Sequence, residues 1–184
     1  MKDDETLYRV YLEGDEDALK ELIERYGTRL TLYIHRYVQD IHDSEDLMID
    51  VFAYLSVKKP RIRAGAFKAY VFKSAWHAAL RFLAENKLRH CLSLDKIEYE
   101  PQSEIRADDL AMKNEFNDIM SLCMERLNPD YRQALNLVYF EQLRHAEAAE
   151  VMGKSERQVA DLVYRGKKSL LKHLERDGVD NAQY

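Results

Sequence analysis

Cysteine, proline, glycine and tryptophan are scarce in this 184-residue chain, at two, three, six and one residues. The two cysteines, Cys91 and Cys123, lie far apart and lack the spacing of a zinc site or a disulfide framework, which points to a reducing compartment. So little glycine and proline argues against a turn-rich all-β protein and for long helices. No apolar run approaches the ~20 residues of a membrane span. The acidic start Met1-Lys2-Asp3-Asp4-Glu5 is unlike a signal peptide. The expectation is therefore a cytoplasmic chain with no membrane insertion. A glycine-rich phosphate loop, a run of metal ligands and a nucleophile motif are also missing from the sequence. His90-Cys91 is the one place where histidine and cysteine adjoin, and a helix end followed by a linker accounts for it. The expectation is no catalytic residue, no metal and no cofactor: not an enzyme.

What is present is helical surface and segregated charge. Hydrophobic residues make up 46% of the chain, enough for a real core, and charged residues 33%, above the usual quarter. The predicted fold class is all-α, with two small helical domains joined by a linker. Net charge is −5 overall, yet Lys58 to His90 holds nine bases (Lys58, Lys59, Arg61, Arg63, Lys68, Lys73, Arg81, Lys87, Arg89) against one acid, Glu85. Phe67, Tyr70, Phe72, Trp76 and Phe82 are interleaved with them. Positive charge tracks phosphates and aromatic faces stack on unpaired bases, so this pattern suits single-stranded nucleic acid. The same pattern also describes an amphipathic core helix with a solvated basic face.

Residues 1 to 56 are acidic, with fourteen acids against six bases. Asp15 is placed to cap a helix from Glu16, in which Leu19, Leu22, Ile23, Tyr26, Leu30, Tyr33, Ile34 and Tyr37 recur at three- and four-residue steps. Gly27 could bend it. Asp43 is expected to cap a second helix with Leu47, Val51, Tyr54 and Leu55 inward and Glu45, Asp46 and Asp50 outward. That acidic face is either simply solvated or a docking surface for a basic partner. Lys58-Lys59-Pro60 ends the helix, because proline cannot continue it. Arg61-Ile62-Arg63-Ala64-Gly65 then reads as an exposed basic loop. The next helix spans Ala66 to about Asn86, burying Phe67, Val71, Ser74/Ala75, Ala78/Ala79 and Phe82 and setting Lys68, Lys73, His77 and Arg81 on or beside the opposite face.

Between Cys91 and Asp108 the periodicity fades, acids gather and Pro101-Gln102-Ser103 sits in the middle, the composition of a linker. Stretched out it would reach roughly 60 Å. A further helix is expected near Leu110, with Met112, Phe116, Ile119, Met120, Cys123 and Leu127 as its stripe. Asn128-Pro129 is a helix start carrying Leu135, Val138 and Tyr139 to about Phe140. A short helix follows from about His145 to Met152, ended by Gly153. Ser155-Glu156-Arg157-Gln158 has the form of a capping box, opening a helix with Val159, Leu162/Val163, Gly166, Leu170 and Leu174 inward. Short helix, glycine turn and longer capped helix make a helix-turn-helix, whose second helix can enter the major groove of DNA.

On these residues the chain resembles the bacterial sigma-70 family, in its small two-domain extracytoplasmic-function group, over nearly everything from Asp15 to Leu174. The first domain carries the resemblance in Ala18-Leu19-Lys20-Glu21-Leu22-Ile23-Glu24-Arg25-Tyr26, in Asp43-Ser44-Glu45-Asp46-Leu47 running to Val51-Phe52, and in Phe67-Lys68-Ala69-Tyr70. The second carries it in Leu127-Asn128-Pro129-Asp130-Tyr131-Arg132, Tyr139-Phe140-Glu141 and Ala148-Ala149-Glu150-Val151-Met152-Gly153.

The resemblance implies an initiation factor that binds core RNA polymerase and promoter DNA. Residues 1–90 would bind polymerase and recognise and melt the minus-ten element. Residues 91–108 would be the acidic linker, 109–176 the helix-turn-helix domain reading the minus-thirty-five element, and 177–184 a tail. Asp43, Glu45, Asp46, Leu47, Ile49 and Asp50 would dock on clamp helices of the largest polymerase subunit, and the polymerase flap would be a further partner. Lys59, Arg61, Arg63, Phe67, Lys68, Tyr70, Lys73, Trp76, His77 and Arg81 would capture the flipped base and hold the melted strand. Ser155, Glu156, Arg157, Gln158, Ala160, Asp161, Tyr164, Arg165, Lys167 and Lys168 would face the upstream duplex. An anti-sigma partner is implied by the same resemblance.

The chain departs from the family where Ile49 replaces a frequent glutamine, where His77 and Arg81 replace an asparagine and an aspartate, and where Ala160, Asp161 and Leu162 replace a frequent Lys, Ser and Arg. Two cations fewer on the recognition helix weaken phosphate and guanine contacts, since arginine is the usual guanine reader. That departure keeps open a sigma-like regulator that binds DNA or polymerase without initiating.

Overall fold

The computed structural model describes residues 2–92 and 119–177. The acidic linker, the helix start near Leu110 with Met112 and Phe116, the side chains of His90 and Cys91, and all but the first residue of the tail lie outside the described residues. The described residues are helical, with no strand among them.

The first unit has four helices, and the first three are each started by an aspartate cap. Helix α1 (Asp4–Leu12) was not foreseen; Asp3 caps it by accepting from the Thr6 N–H at 2.7 Å. Helix α2 (Glu16–Val38) starts at Asp15, as its sequence predicts, and runs straight through Gly27. Helix α3 (Ile41–Lys58) begins before the predicted Asp43. Asp40 is its cap, accepting from the Asp43 N–H at 2.9 Å, so Asp43 is already inside the first turn. Lys59, in the left-handed region at φ 43°, closes it ahead of Pro60. Helix α4 (Phe67–Leu92) is longer than expected.

These helices bury Leu22, Leu30, Tyr33, Ile34, Leu55, Phe67, Val71 and Phe72. Each fully buried Leu, Ile or Phe contributes about 1.5–3 kcal/mol. Leu7, Tyr8 and Tyr11 of α1 close the same core from below, and Tyr8 and Tyr26 both pack on the Phe67 ring. Two expected inward residues face solvent, Ile23 and Tyr54; Phe52 and Ser44 take the interior of α3 instead.

The second unit comprises a helical segment α5 (119–125), α6 (Pro129–Leu135), a π-helical turn (Asn136–Phe140), α7 (His145–Met152) and α8 (Glu156–Arg176). Asn128 caps α6 with Pro129 at its first position. The π turn, marked by the Glu141 N–H donating to the Asn136 carbonyl at 3.0 Å, inserts a residue into the helical phase. Asn136 and Leu137 are therefore buried, while Tyr139, expected inside, is half exposed. Gly153 at φ 63° ends α7, and Ser155 and Gln158 form the capping box of α8. Gly166 is buried where α8 crosses α6. A Cβ there would meet the Tyr131 Cβ at 3.2 Å and Leu135 at 3.3 Å, so the bare backbone sets the spacing of the two helices. The units pack together along α4 and α7.

Candidate nucleic-acid interface

The basic loop is held from below. Tyr8 Oη donates to the Pro60 carbonyl at 2.7 Å and Tyr11 Oη to that of Ser56 at 3.3 Å. Burial, helped by the neighbouring Tyr70 and Tyr11, pushes the Tyr8 phenol up to about 12, so it remains a donor. Lys59 caps α3 and lays its ammonium over the Tyr11 ring at 5.1 Å. Gly65 (φ 76°) and the Ala66 N–H donating to the Arg63 carbonyl then turn the chain into α4. With its ends fixed, the loop leaves Arg61 and Arg63 exposed at the mouth of an open cleft of about 320 Å³. Ile62, Ala66, Ala69, Tyr70 and Lys73 also line it, and Glu150 of α7 reaches in from the second unit.

Along α4 the expected residues divide into two sets. Tyr70, Lys73, His77 and Arg81 follow steps of three and four, share one face, and continue the exposed surface of Arg61 and Arg63. Phe67, Lys68 and Trp76 lie elsewhere. Phe67 is 1% exposed, at the centre of the tyrosine cluster, and is a core residue with no face free for a base. Trp76 is half-buried, edge-on to Tyr37 at 4.9 Å between ring centroids. Lys68 turns to the second unit and donates to the Gln142 carbonyl at 2.9 Å. Burial, with Arg29 alongside, lowers its ammonium below the usual lysine range.

On α3 the acidic face is exposed at Glu45, Asp46 and Asp50, and Ile49 stands out at 57% exposure. Leu47 is buried and supports that face from beneath. Burial, reinforced by Asp40 and Asp46, holds the Asp43 carboxyl above the ordinary aspartate range. Beside these acids runs an open apolar groove of about 270 Å³, formed by Leu19, Ile23, Met48, Ile49, Phe52, Ala53 and Ser56.

Helix α8 turns an outer surface to solvent: Glu156, Arg157, Gln158, Ala160, Asp161, Tyr164, Arg165, Lys167 and Lys168 are all exposed. Several are already engaged. The Ser155 N–H donates to Gln158 Oε1 at 2.8 Å, so Gln158 serves the cap. Arg165 pairs with Asp161 at 3.0 Å, one turn back. Lys167 lies 5.3 Å over the Tyr139 ring, and Lys154 ties the turn to Asp130 on α6 at 3.1 Å. Tyr164 is 69% exposed.

The sequence reading missed the seam between the units. Glu141, 4% exposed, accepts from Arg36 at 2.8 Å and sits 3.5 Å from Arg29, which also donates to the Glu141 carbonyl at 2.6 Å. Asn136 Nδ2 donates to the Tyr37 hydroxyl at 3.0 Å, and the Arg36 and Arg132 guanidiniums stack on Phe140 and Tyr37. Arg63 pairs with Glu150. These partners lie about a hundred residues apart in sequence, so no local spacing could have revealed them. Among the described residues no cluster of metal-ligating side chains is found, and no helix is long and apolar enough to cross a membrane.

Comparison with known proteins places these surfaces in one family. Residues 22–89 match the model of sigma-70 region 2, and residues 118–170 that of sigma-70 region 4, together more than half of the chain. The ECF RNA polymerase sigma factor SigM of Bacillus subtilis is 24% identical over 153 residues, covering 83% of this chain and 93% of its own length. The ECF RNA polymerase sigma factor SigW of the same organism is 22% identical over 171 residues, 88% of this chain and 91% of its own. The fold is shared with CnrH, solved with the cytosolic domain of CnrY (TM-score 0.72, 18% identity, covering 95% of this chain and 99% of that one). It is shared too with the sigma factor RpoE of Bartonella quintana, solved with the anti-sigma factor NepR (TM-score 0.65, 16% identity, covering 85% and 96%). The chain belongs to the sigma-70 family, in its extracytoplasmic-function group, and is a promoter-recognising sigma factor that binds core RNA polymerase and promoter DNA.

Proposed function

We propose that residues 1–90 bind polymerase and open the minus-ten element while residues 109–176 read the minus-thirty-five element. One observation carries the first half: Arg61, Arg63, Lys73, His77 and Arg81 are exposed beside an open cleft that the half-buried Tyr70 lines. In this reading the cleft takes a flipped base, Tyr70 stacks, and Lys73, His77 and Arg81 follow the displaced strand. Unstacking a base costs a few kcal/mol, which a pocket with aromatic contact can offset. Lys68 and Lys59 border that surface, and Trp76 and Phe67 support it from inside.

Upstream, Arg157 and Tyr164 are assigned to base edges and Arg165, Lys167 and Lys168 to phosphates. Ser155 and Gln158 hold the helix start, with Glu156, Ala160 and Asp161 along the groove. Asp161 neutralises Arg165 within the helix, so the phosphate grip of α8 falls mainly to Lys167 and Lys168. Asp43, Glu45, Asp46, Ile49 and Asp50, backed by Leu47, are the polymerase-docking face, acids at the rim and Ile49 in the middle. The protein performs no covalent chemistry itself and works in the cytoplasm. The complexes of CnrH and RpoE support the further reading that an anti-sigma protein holds this chain inactive.

Permanganate reactivity of unpaired thymines in a polymerase–promoter complex tests the central assignment. Replacing Arg61 and Arg63 by alanine should leave polymerase binding intact and reduce thymine reactivity around the minus-ten element. Wild-type reactivity in that double variant would remove the loop from the account.

A further inference from the structure

The basic loop runs from the end of α3 to the start of α4, and α1 touches both of its ends. Tyr8, 5% exposed, donates from its hydroxyl to the Pro60 carbonyl at 2.7 Å. Its ring packs on Phe67, the first residue of α4, at 5.4 Å between centroids. One side chain thus spans the base of the loop, from the residue before Arg61 to the residue after Ala66. Tyr11 lies beside it, ring centroids 6.1 Å apart, and donates to the Ser56 carbonyl. That carbonyl belongs to the last turn of α3, where helix geometry leaves the final carbonyls without an internal donor. At 3.3 Å this bond is the weaker of the two.

Helix α1 serves as an anchor because it is itself fixed. Asp4, in its first turn, accepts from Arg25 at 2.8 Å and from the Tyr26 hydroxyl, both on α2. The Tyr26 ring packs in turn on Phe67 at 5.7 Å. Phenylalanine would fill the space of either α1 tyrosine, so packing does not account for the two hydroxyls. Both are directed to backbone carbonyls where α3 gives way to the loop. A loop held in its binding geometry before the ligand arrives loses less entropy on binding.

We propose that Tyr8 and Tyr11 are positioning residues for strand capture: their hydroxyls fix the start of the basic loop so that Arg61 and Arg63 stand ready at the mouth of the cleft. The inference rests on the strand-capturing role assigned to that cleft. Neither tyrosine meets DNA; both act through the loop, and Tyr8 dominates.

The test uses the full chain carrying Tyr8→Phe and Tyr11→Phe, which keeps both rings and removes both hydroxyls. In the free protein, tryptic cleavage after Arg61 and Arg63 under native conditions reports how often the loop leaves its seat. In a polymerase–promoter complex, permanganate reactivity of unpaired minus-ten thymines reports strand opening. Cleavage should quicken about fivefold, the usual net worth of one hydrogen bond as an equilibrium factor. Opening should fall by a similar factor, with polymerase binding unchanged. Added to Arg61→Ala with Arg63→Ala, the tyrosine changes should have no further effect on opening, whereas a general loss of packing would lower it equally in both backgrounds. Unchanged cleavage would overturn the inference. So would unchanged opening beside a clear defect in the arginine variant, or an equal loss in both backgrounds. Wild-type opening in the arginine variant would instead overturn the strand-capturing role beneath it, whatever the cleavage rate. Tyr8→Phe alone should reproduce most of the cleavage effect, and it decides if the double variant fails to fold.

Discussion

Inside the first unit, ring meets ring: Tyr26, Tyr33, Phe67 and Phe72 pack edge-on at 5.3 to 6.5 Å, and Leu22, Leu30 and Ile34 fill the gaps between them. Across the seam to the second unit the apolar core continues, and beside it guanidinium, carboxylate, amide and phenol meet. The first kind of contact is non-directional, insensitive to salt and lost only by unfolding. The second weakens with ionic strength and loses little when its partners exchange each other for water. One chain thus holds an apolar core and, at the seam between its units, a set of charged and polar contacts.

Substitutions should separate these two kinds of contact by size. Phe72→Ala, at the centre of the ring cluster, should destabilise the first unit by about 3–5 kcal/mol in chemical denaturation, because the neighbouring rings cannot collapse into the hole. Breaking a buried ion pair inside a fixed core costs about 3–5 kcal/mol as well. Glu141→Ala should cost under about 2 kcal/mol, since its partners Arg29 and Arg36 keep 40% and 29% exposure and can turn to water. A loss from Glu141→Ala as large as from Phe72→Ala would erase the distinction drawn here. Ser155→Ala removes one cap hydrogen bond from α8 and should lower stability by about 1 kcal/mol, read as a small shift in the melting of the second unit. Smallest of all, Glu150→Ala should change stability by no more than about 1 kcal/mol, because both partners of its pair with Arg63 are largely exposed.

The helices were legible in the sequence because their signals are local. Asp15, Asn128 and Ser155 are placed to cap, Gly153 to stop α7, and Pro60 to stop α3, and each does so in the structure. At α3 the expected cap lay one turn too late: Asp40, not Asp43, starts the helix, accepting from the Asp43 N–H. Helix α1 escaped notice since its nine residues bury three side chains amid an acidic run. The π turn was invisible because one inserted residue breaks no propensity; it only moves Asn136 inward and Tyr139 outward. For the site, the alternation of bases and rings after Lys58 located the surface, yet composition could not say which ring faces out. Phe67 went inside because it adjoins Tyr8 and Tyr26, and Tyr70, one turn later, lies at the cleft. The seam itself, joining Arg29 and Arg36 to Glu141, had no signature at all.

The most direct measurement is run-off transcription with purified core polymerase on a pool of random promoter templates. The account predicts transcripts that depend on this protein and that Arg61→Ala with Arg63→Ala suppresses, although the double variant still binds polymerase. Transcripts that the double variant supports as well as wild type would contradict the assignment of strand opening to this surface.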